Sequence, residues 1–170
     1  GVWLIELAAI TDPATVTIAI AEMFGAAGES GNAEALADHL HDRNGLLFID
    51  NCEHMLDTVR ALAIQLPASC PHIKLMLTSR EPLNISGEVV FVVPPLSAPD
   101  ARELFNDRAQ AATPDMRFSD AEQTQVQSIC EALDRLPLAI ELAASRLRNM
   151  SIHQIAAFLA SRSRFALLTD

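Results

Sequence analysis

Four large apolar residues, Leu46-Leu47-Phe48-Ile49, run without a polar break and stop at the carboxylate of Asp50. No other stretch limits the architecture as much. A half-exposed strand alternates apolar and polar side chains, so an unbroken run predicts a strand buried on both faces, as in a parallel sheet between helix layers. Open α/β sheets place their ligands at the C-terminal ends of such strands. An Asp at that end is placed to hold a hydrated Mg²⁺ that grips nucleotide phosphates. It would serve equally to end the strand and cap the next helix. On these residues alone both readings stand.

The flanking sequence repeats the pattern. Val2-Trp3-Leu4-Ile5 reads as a second buried strand ending at Glu6-Leu7, and Ile73-Lys74-Leu75-Met76-Leu77 as a third, followed by Thr78-Ser79-Arg80. Val89-Val90-Phe91-Val92-Val93 reads as a fourth, after a turn at Ser86-Gly87. Between them lie helical patterns. Thr11-Asp12-Pro13 opens one carrying Val16, Ile20 and Phe24. Gly25 to Gly31 reads as a loop, Ala33 to Asp42 as a short helix with Leu36 and Leu40, and Arg43-Asn44-Gly45 as the turn into the central strand. A helix from about His54 uses Met55, Val59, Leu62 and Leu66, with Pro67 and Pro71 bracketing its end. Strands alternating with helices predict βαβ units.

Pro94-Pro95-Leu96-Ser97-Ala98-Pro99 marks the change of composition, and the remaining residues read as four helices. The first runs from about Pro99 to Ala112. Ser119-x-x-Glu122 is a capping box for the second, with Val126, Ile129, Cys130 and Leu133 inward. Pro137 starts the third, lined by Ile140, Ala143, Ala144 and Leu147, and Ser151-x-x-Gln154 starts the fourth. The expected division is an α/β core at 1–95 and a small all-helical domain at 96–170.

The net charge of −10 argues against a nucleic-acid surface on these residues. No apolar run approaches the ~18 residues of a membrane span, and no secretory leader is visible. Cys52, Cys70 and Cys130 are far apart and in no C-x-x-C pairing, so reduced thiols in a cytoplasmic protein are expected rather than a disulfide framework or a zinc site. If the ends of the Leu46–Ile49 and Ile73–Leu77 strands adjoin, the Asp50 carboxylate and the Arg80 guanidinium share one crevice. A metal ligand beside a cation for a terminal phosphate is what phosphoryl transfer asks of a protein. The bland reading of Arg80 is a surface salt bridge to Glu81 or Glu88.

Three ordered motifs, Leu46–His54 (LLFIDNCEH), Leu77–Pro82 (LTSREP) and Leu136–Ala143 (LPLAIELA), give the chain its resemblance to NB-ARC-like STAND ATPases. It looks most like the bacterial signal-transduction regulators in which such an ATPase is joined to a DNA-binding or sensor domain. The resemblance covers essentially the whole chain and implies a P-loop NTPase core with ATP/ADP and Mg²⁺ as ligands. It implies Asp50 as the Walker B Mg²⁺ ligand and Arg80 as the arginine reading the γ-phosphate. It further implies that Pro137, with Leu138, packs against the adenine, the nucleotide lying between the two domains and switching their orientation.

The sequence departs from that pattern in three places. No G-x-x-x-x-G-K-[ST] occurs, and the one lysine, Lys74, lies inside a strand, so the chain reads as N-terminally truncated ahead of Gly1. Asn51 stands where many P-loop ATPases carry a second acid, and a neutral amide takes no proton; hydrolysis is then slow unless Glu53 reaches the water. Arg135 replaces a glycine ahead of Leu136-Pro137. A truncated parallel sheet also leaves open edges, which predicts self-association. The rival reading is a non-catalytic STAND-like scaffold that mediates protein interaction without nucleotide. Glu53 in a first helical turn and His54 beside it both have bland readings as helix-start residues.

Overall fold

The computed structural model describes residues 1–25, 36–37 and 40–161 of the chain. It separates into two compact units, Gly1–Phe91 and a second beginning at Val92.

In the first unit, β1 (Val2–Glu6), β2 (Gly45–Asp50) and β3 (Ile73–Leu77) form a parallel sheet in the order β1-β2-β3. The apolar run is the central strand. Gly45 begins it because the chain passes too close for a side chain: a Cβ there would lie 2.1 Å from the Gly1 carbonyl oxygen and 2.4 Å from the Trp3 ring. Helix α1 (Pro13–Met23) starts where expected, with Asp12 accepting from the Ala14 N–H at 3.0 Å and Pro13 in the first turn. Helix α2 (Leu56–Ser69) follows β2 after a short 3₁₀ turn at Cys52–His54. It turns Val59, Leu62, Ala63 and Leu66 inward and runs two residues past Pro67, so that proline sits in the last turn instead of closing the helix. The expected loop at 25–31 and helix at 33–42 fall largely outside the described residues, although Leu36 and Leu40 are described and buried.

The expectation of a strand buried on both faces is corrected. βαβ crossovers share one hand, so strands laid down in sequence order send their helices to the same face. Trp3, Ile5, Leu47, Ile49 and Ile73 therefore pack with Val16, Ile20, Leu36, Leu40, Val59, Leu62 and Leu66 in one core. On the other face Leu46 and Phe48 are only half-buried, and Val2, Leu4 and Met76 are 74%, 50% and 55% exposed. The fourth strand is corrected too. Residues 89–93 form no ladder, and Val89 and Phe91 are 92% and 82% exposed. β-Branched residues favour a pleated surface but do not supply the neighbour that a strand must bond.

The second unit is helical, as its pattern indicated. It comprises α3 (Ala98–Ala112), α4 (Asp120–Ala132), α5 (Pro137–Ser145), a 3₁₀ turn at Arg146–Arg148, and α6 (Ile152–Ser161). Side chains satisfy the N-terminal donors. Ser97 accepts from the Asp100 N–H, and Ser119 with Glu122 forms the anticipated capping box. Ser151 and Gln154 exchange the same pair of bonds at the start of α6. Phe105, Val126, Ile129, Ile140, Ala143, Ile155 and Leu159 form its core.

Candidate functional site

Parallel pairing of β2 with β3 sets Asp50 beside Thr78 at the C-terminal sheet edge, with Ser79 and Arg80 following in the chain. The ladder continues past the strands. The Thr78 N–H donates to the Ile49 carbonyl at 3.0 Å, and the Cys52 N–H donates to the Thr78 carbonyl at 2.9 Å. By register, Val2, Leu4 and Glu6 align with Leu46, Phe48 and Asp50, so the Asp50 carboxylate belongs to the uncovered face, with Glu6 its neighbour on β1.

Thr78 is the residue that the sequence reading missed. Its hydroxyl donates to Asp50 Oδ1 and accepts from the Asn51 N–H at 3.0 Å, clamping the carboxylate and the backbone behind it. Asn51 itself has φ 64° and ψ 53°, the left-handed region in which Asn and Gly are the tolerated residues. That explains an amide at this position without any chemistry. The left-handed residue turns the chain sharply from the strand into the 3₁₀ turn and delivers Glu53 to the same edge.

Glu53 is the partner of Arg80. Its Oε1 lies 2.9 Å from Arg80 Nε; the Glu53 side chain is 21% exposed and that of Arg80 84%. The salt bridge weighed for Arg80 thus exists, but with Glu53 instead of Glu81 or Glu88. Glu88 is committed elsewhere, its two oxygens accepting from the Leu83 and Asn84 N–H groups at 2.8 Å each. His54 Nε2 donates to the Ile10 carbonyl at 3.0 Å, a packing role consistent with a helix-start residue. Cys52 is buried and bonds through Sγ to the Ile49 carbonyl. Burial, then the charges of Glu53 and Asp50, push its thiol up to about 11, which makes it a poor nucleophile at neutral pH.

This donor set tests the implied ligands. One half-buried carboxylate, oriented by a hydroxyl, fits Mg²⁺, which keeps several waters and takes only one or two protein carboxylates. No cluster of three or more potential ligands that could cage a bare metal occurs among the described residues. In the helical unit, Pro137 occupies the first turn of α5, and Leu138 is 68% exposed. Arg135, just before, has φ 56° and Asp134 φ 53°, two successive left-handed residues, neither of them glycine. No helix among the described residues is long and apolar enough to cross a membrane.

No family model matches the chain. Over 159 residues it is 38% identical to proteins named "Putative HTH-type transcriptional regulator" from Mycobacterium bovis and Mycobacterium tuberculosis, an overlap of 92% of this chain and 18% of each relative. Over 167 residues it is 38% identical to an "Uncharacterized protein" of Mycobacterium tuberculosis, covering 96% of this chain and 42% of that one. The chain spans less than half the length of these relatives.

Proposed function

We propose that this chain is the nucleotide-responsive segment of a transcriptional regulator, binding Mg·ATP and Mg·ADP and switching between them more than it hydrolyses. One observation carries the reading. A hydroxyl-oriented carboxylate (Asp50) and a guanidinium (Arg80) stand on adjacent parallel strand ends, on the side of the sheet where such folds take phosphates. Asp50 would hold the hydrated metal and Arg80 would meet the terminal phosphate. Asn51, the residue after Asp50, carries a neutral amide that cannot take a proton from water, which fits slow turnover. A nucleotide switches a protein only if it binds two arrangements with different affinity, and a cation that touches only the third phosphate supplies such a difference. The regulator part of the reading rests on the names of the relatives; DNA contact is assigned to other domains.

The test is calorimetric titration of Mg·ATP and Mg·ADP into the complete product of the native gene and into the present 170 residues, each with an Asp50→Ala counterpart. Binding that falls roughly 10–100-fold on losing the carboxylate supports the reading. A folded full product that gives no heat with either nucleotide would overturn it. The uncovered apolar face of Val2, Leu4 and Met76 favours a second reading, a protein-interaction scaffold, which that outcome would leave in place.

A further inference from the structure

We propose that Glu53 is the internal competitor of the γ-phosphate for Arg80, so that the Glu53–Arg80 pair sets how strongly the site prefers a nucleoside triphosphate over a diphosphate. The inference rests on the nucleotide reading above and deepens it.

The two partners differ in how firmly they are held. Glu53 lies on the 3₁₀ turn that the left-handed Asn51 creates and that the Cys52 N–H pins to the Thr78 carbonyl, and its side chain is only 21% exposed. Arg80 follows β3 in a loop, where Ser79 Oγ accepts from the Glu81 N–H, and its side chain is 84% exposed. The carboxylate is the fixed end of the pair and the guanidinium the end free to leave. Only Nε of Arg80 is engaged among the described residues, which leaves the donors of its Nη groups free. The acids nearest in sequence do not compete in the same way: both oxygens of Glu88 are bonded to backbone, and Glu81 makes no ion pair among the described residues.

Energetics give the direction of exchange. A largely exposed ion pair is weak, because water screens it and holding two long side chains costs entropy. A phosphate offers the fork of an arginine two parallel charge-assisted bonds. With a diphosphate bound there is nothing for Arg80 to reach, and it stays on Glu53. With a triphosphate it transfers, and breaking the Glu53 contact is subtracted from the gain. Glu53 therefore weakens triphosphate binding and leaves diphosphate binding alone.

The experiment is a double-substitution cycle on the complete gene product, with Mg·ATP and Mg·ADP affinities read by calorimetry for the native protein, Glu53→Gln, Arg80→Gln and the double variant. Glu53→Gln keeps size and removes charge; it should tighten Mg·ATP about threefold, with Mg·ADP unchanged. Arg80→Gln should weaken Mg·ATP about tenfold, and in that background Glu53→Gln should do nothing. Parallel changes in both nucleotides on Glu53→Gln, or a Glu53 effect that persists without Arg80, would overturn the proposal while the nucleotide reading survives. Failure of the native protein to bind either nucleotide would overturn both.

Discussion

Phe91 and Phe105 lie on opposite sides of a contrast between the two units. Phe105 is fully buried in the core of the helical unit, whereas Phe91 is 82% exposed in a stretch that joins no ladder. A helix bonds its own backbone and needs only one covered stripe, so four short helices close a core from nearby sequence. A strand must find neighbours for its backbone and cover for two faces, and among the described residues of the first unit the β1-β2-β3 sheet has cover on one face only. Apolar residues thus mean different things in the two units. The largest expected effect breaks the symmetry outright. Phe105→Ala should cost about 3–5 kcal/mol, a large fraction of a small domain's stability, while Phe91→Ala should stay within about 0.5 kcal/mol. Urea unfolding followed by circular dichroism measures both, and equal costs would remove the contrast.

The buried thiols sharpen the comparison by being alike. Cys52 in the sheet unit and Cys130 in the helical unit are both free and buried, and burial pushes each up to about 11. An unfolded thiol loses its proton near its ordinary pKa, so between that value and pH 11 the unfolded state binds fewer protons than the folded one. Stability from these groups is fully present below pH 9 and is lost as pH rises towards 11, by up to about 2–3 kcal/mol per thiol. Melting temperature measured from pH 8 to 11 should fall steeply above 9, and a Cys52→Ala, Cys130→Ala chain should show a shallower fall. At pH 7–8 a thiol reagent should label the folded chain slowly and the denatured chain fully.

The legibility of the sequence divides along the same line. The caps at Asp12, Ser119 and Ser151 and the stripes of α4 to α6 are local signals, and each appears in the structure. That the strands ending at Asp50 and before Thr78 pair was a condition in the sequence reading, since composition does not fix strand order, and the parallel ladder meets it. Three things were not legible. The uncovered sheet face is a property of crossover hand, which an apolar run does not report. Residues 89–93 have strand composition, and composition does not say whether a neighbour is present. Thr78 looked like an ordinary residue after a strand; its role exists only because Asp50, 28 positions earlier, lies across the ladder. A Thr in the residue pair after an apolar strand, facing an Asp at the end of the preceding one, is the signal that would have found it.

Thr78 gives the next prediction, because it tests whether the polar edge of the sheet unit is as tightly built as the helical core. Thr78→Val keeps the shape and removes two hydrogen bonds, to the Asp50 carboxylate and from the Asn51 N–H. The expected loss is about 1–2 kcal/mol, since a donor and a charged acceptor are left unpaired at a partly exposed site. Trp3, the only tryptophan, lies in this unit against Phe24, with ring centroids 4.4 Å apart, so its fluorescence reports the unfolding of the sheet. Thr78→Ser, which restores the hydroxyl, should recover most of the stability. An unchanged midpoint for the Val variant would mean that the clamp contributes nothing to the fold.

The smallest effect comes from a conformation the two units share but fill differently. Asn51 and Arg135 both sit in the left-handed region, at φ 64° and 56°. Asn tolerates it because its short amide bonds locally, whereas Arg bears the clash of its Cβ with the carbonyl oxygen. Arg135 stays there because the turn is over-determined: its N–H donates to the Cys130 carbonyl at 2.9 Å, closing α4, and its own carbonyl accepts from the Leu96 N–H. Replacing Arg135 by Gly relieves the clash but frees the unfolded backbone, and these terms oppose each other. Strain in this region costs about 1–3 kcal/mol and the added freedom about 0.4–1, so Arg135→Gly should stabilise the helical unit by about 0.5–1 kcal/mol. Asn51→Gly, with little strain to relieve, should be neutral or slightly destabilising. Calorimetric melting of the two variants should therefore show shifts of unequal size, upward for Arg135→Gly. If both rose equally, the left-handed turn after the Asp50 strand would be under the same strain as the helical one, and Asn51 would not be there for its backbone.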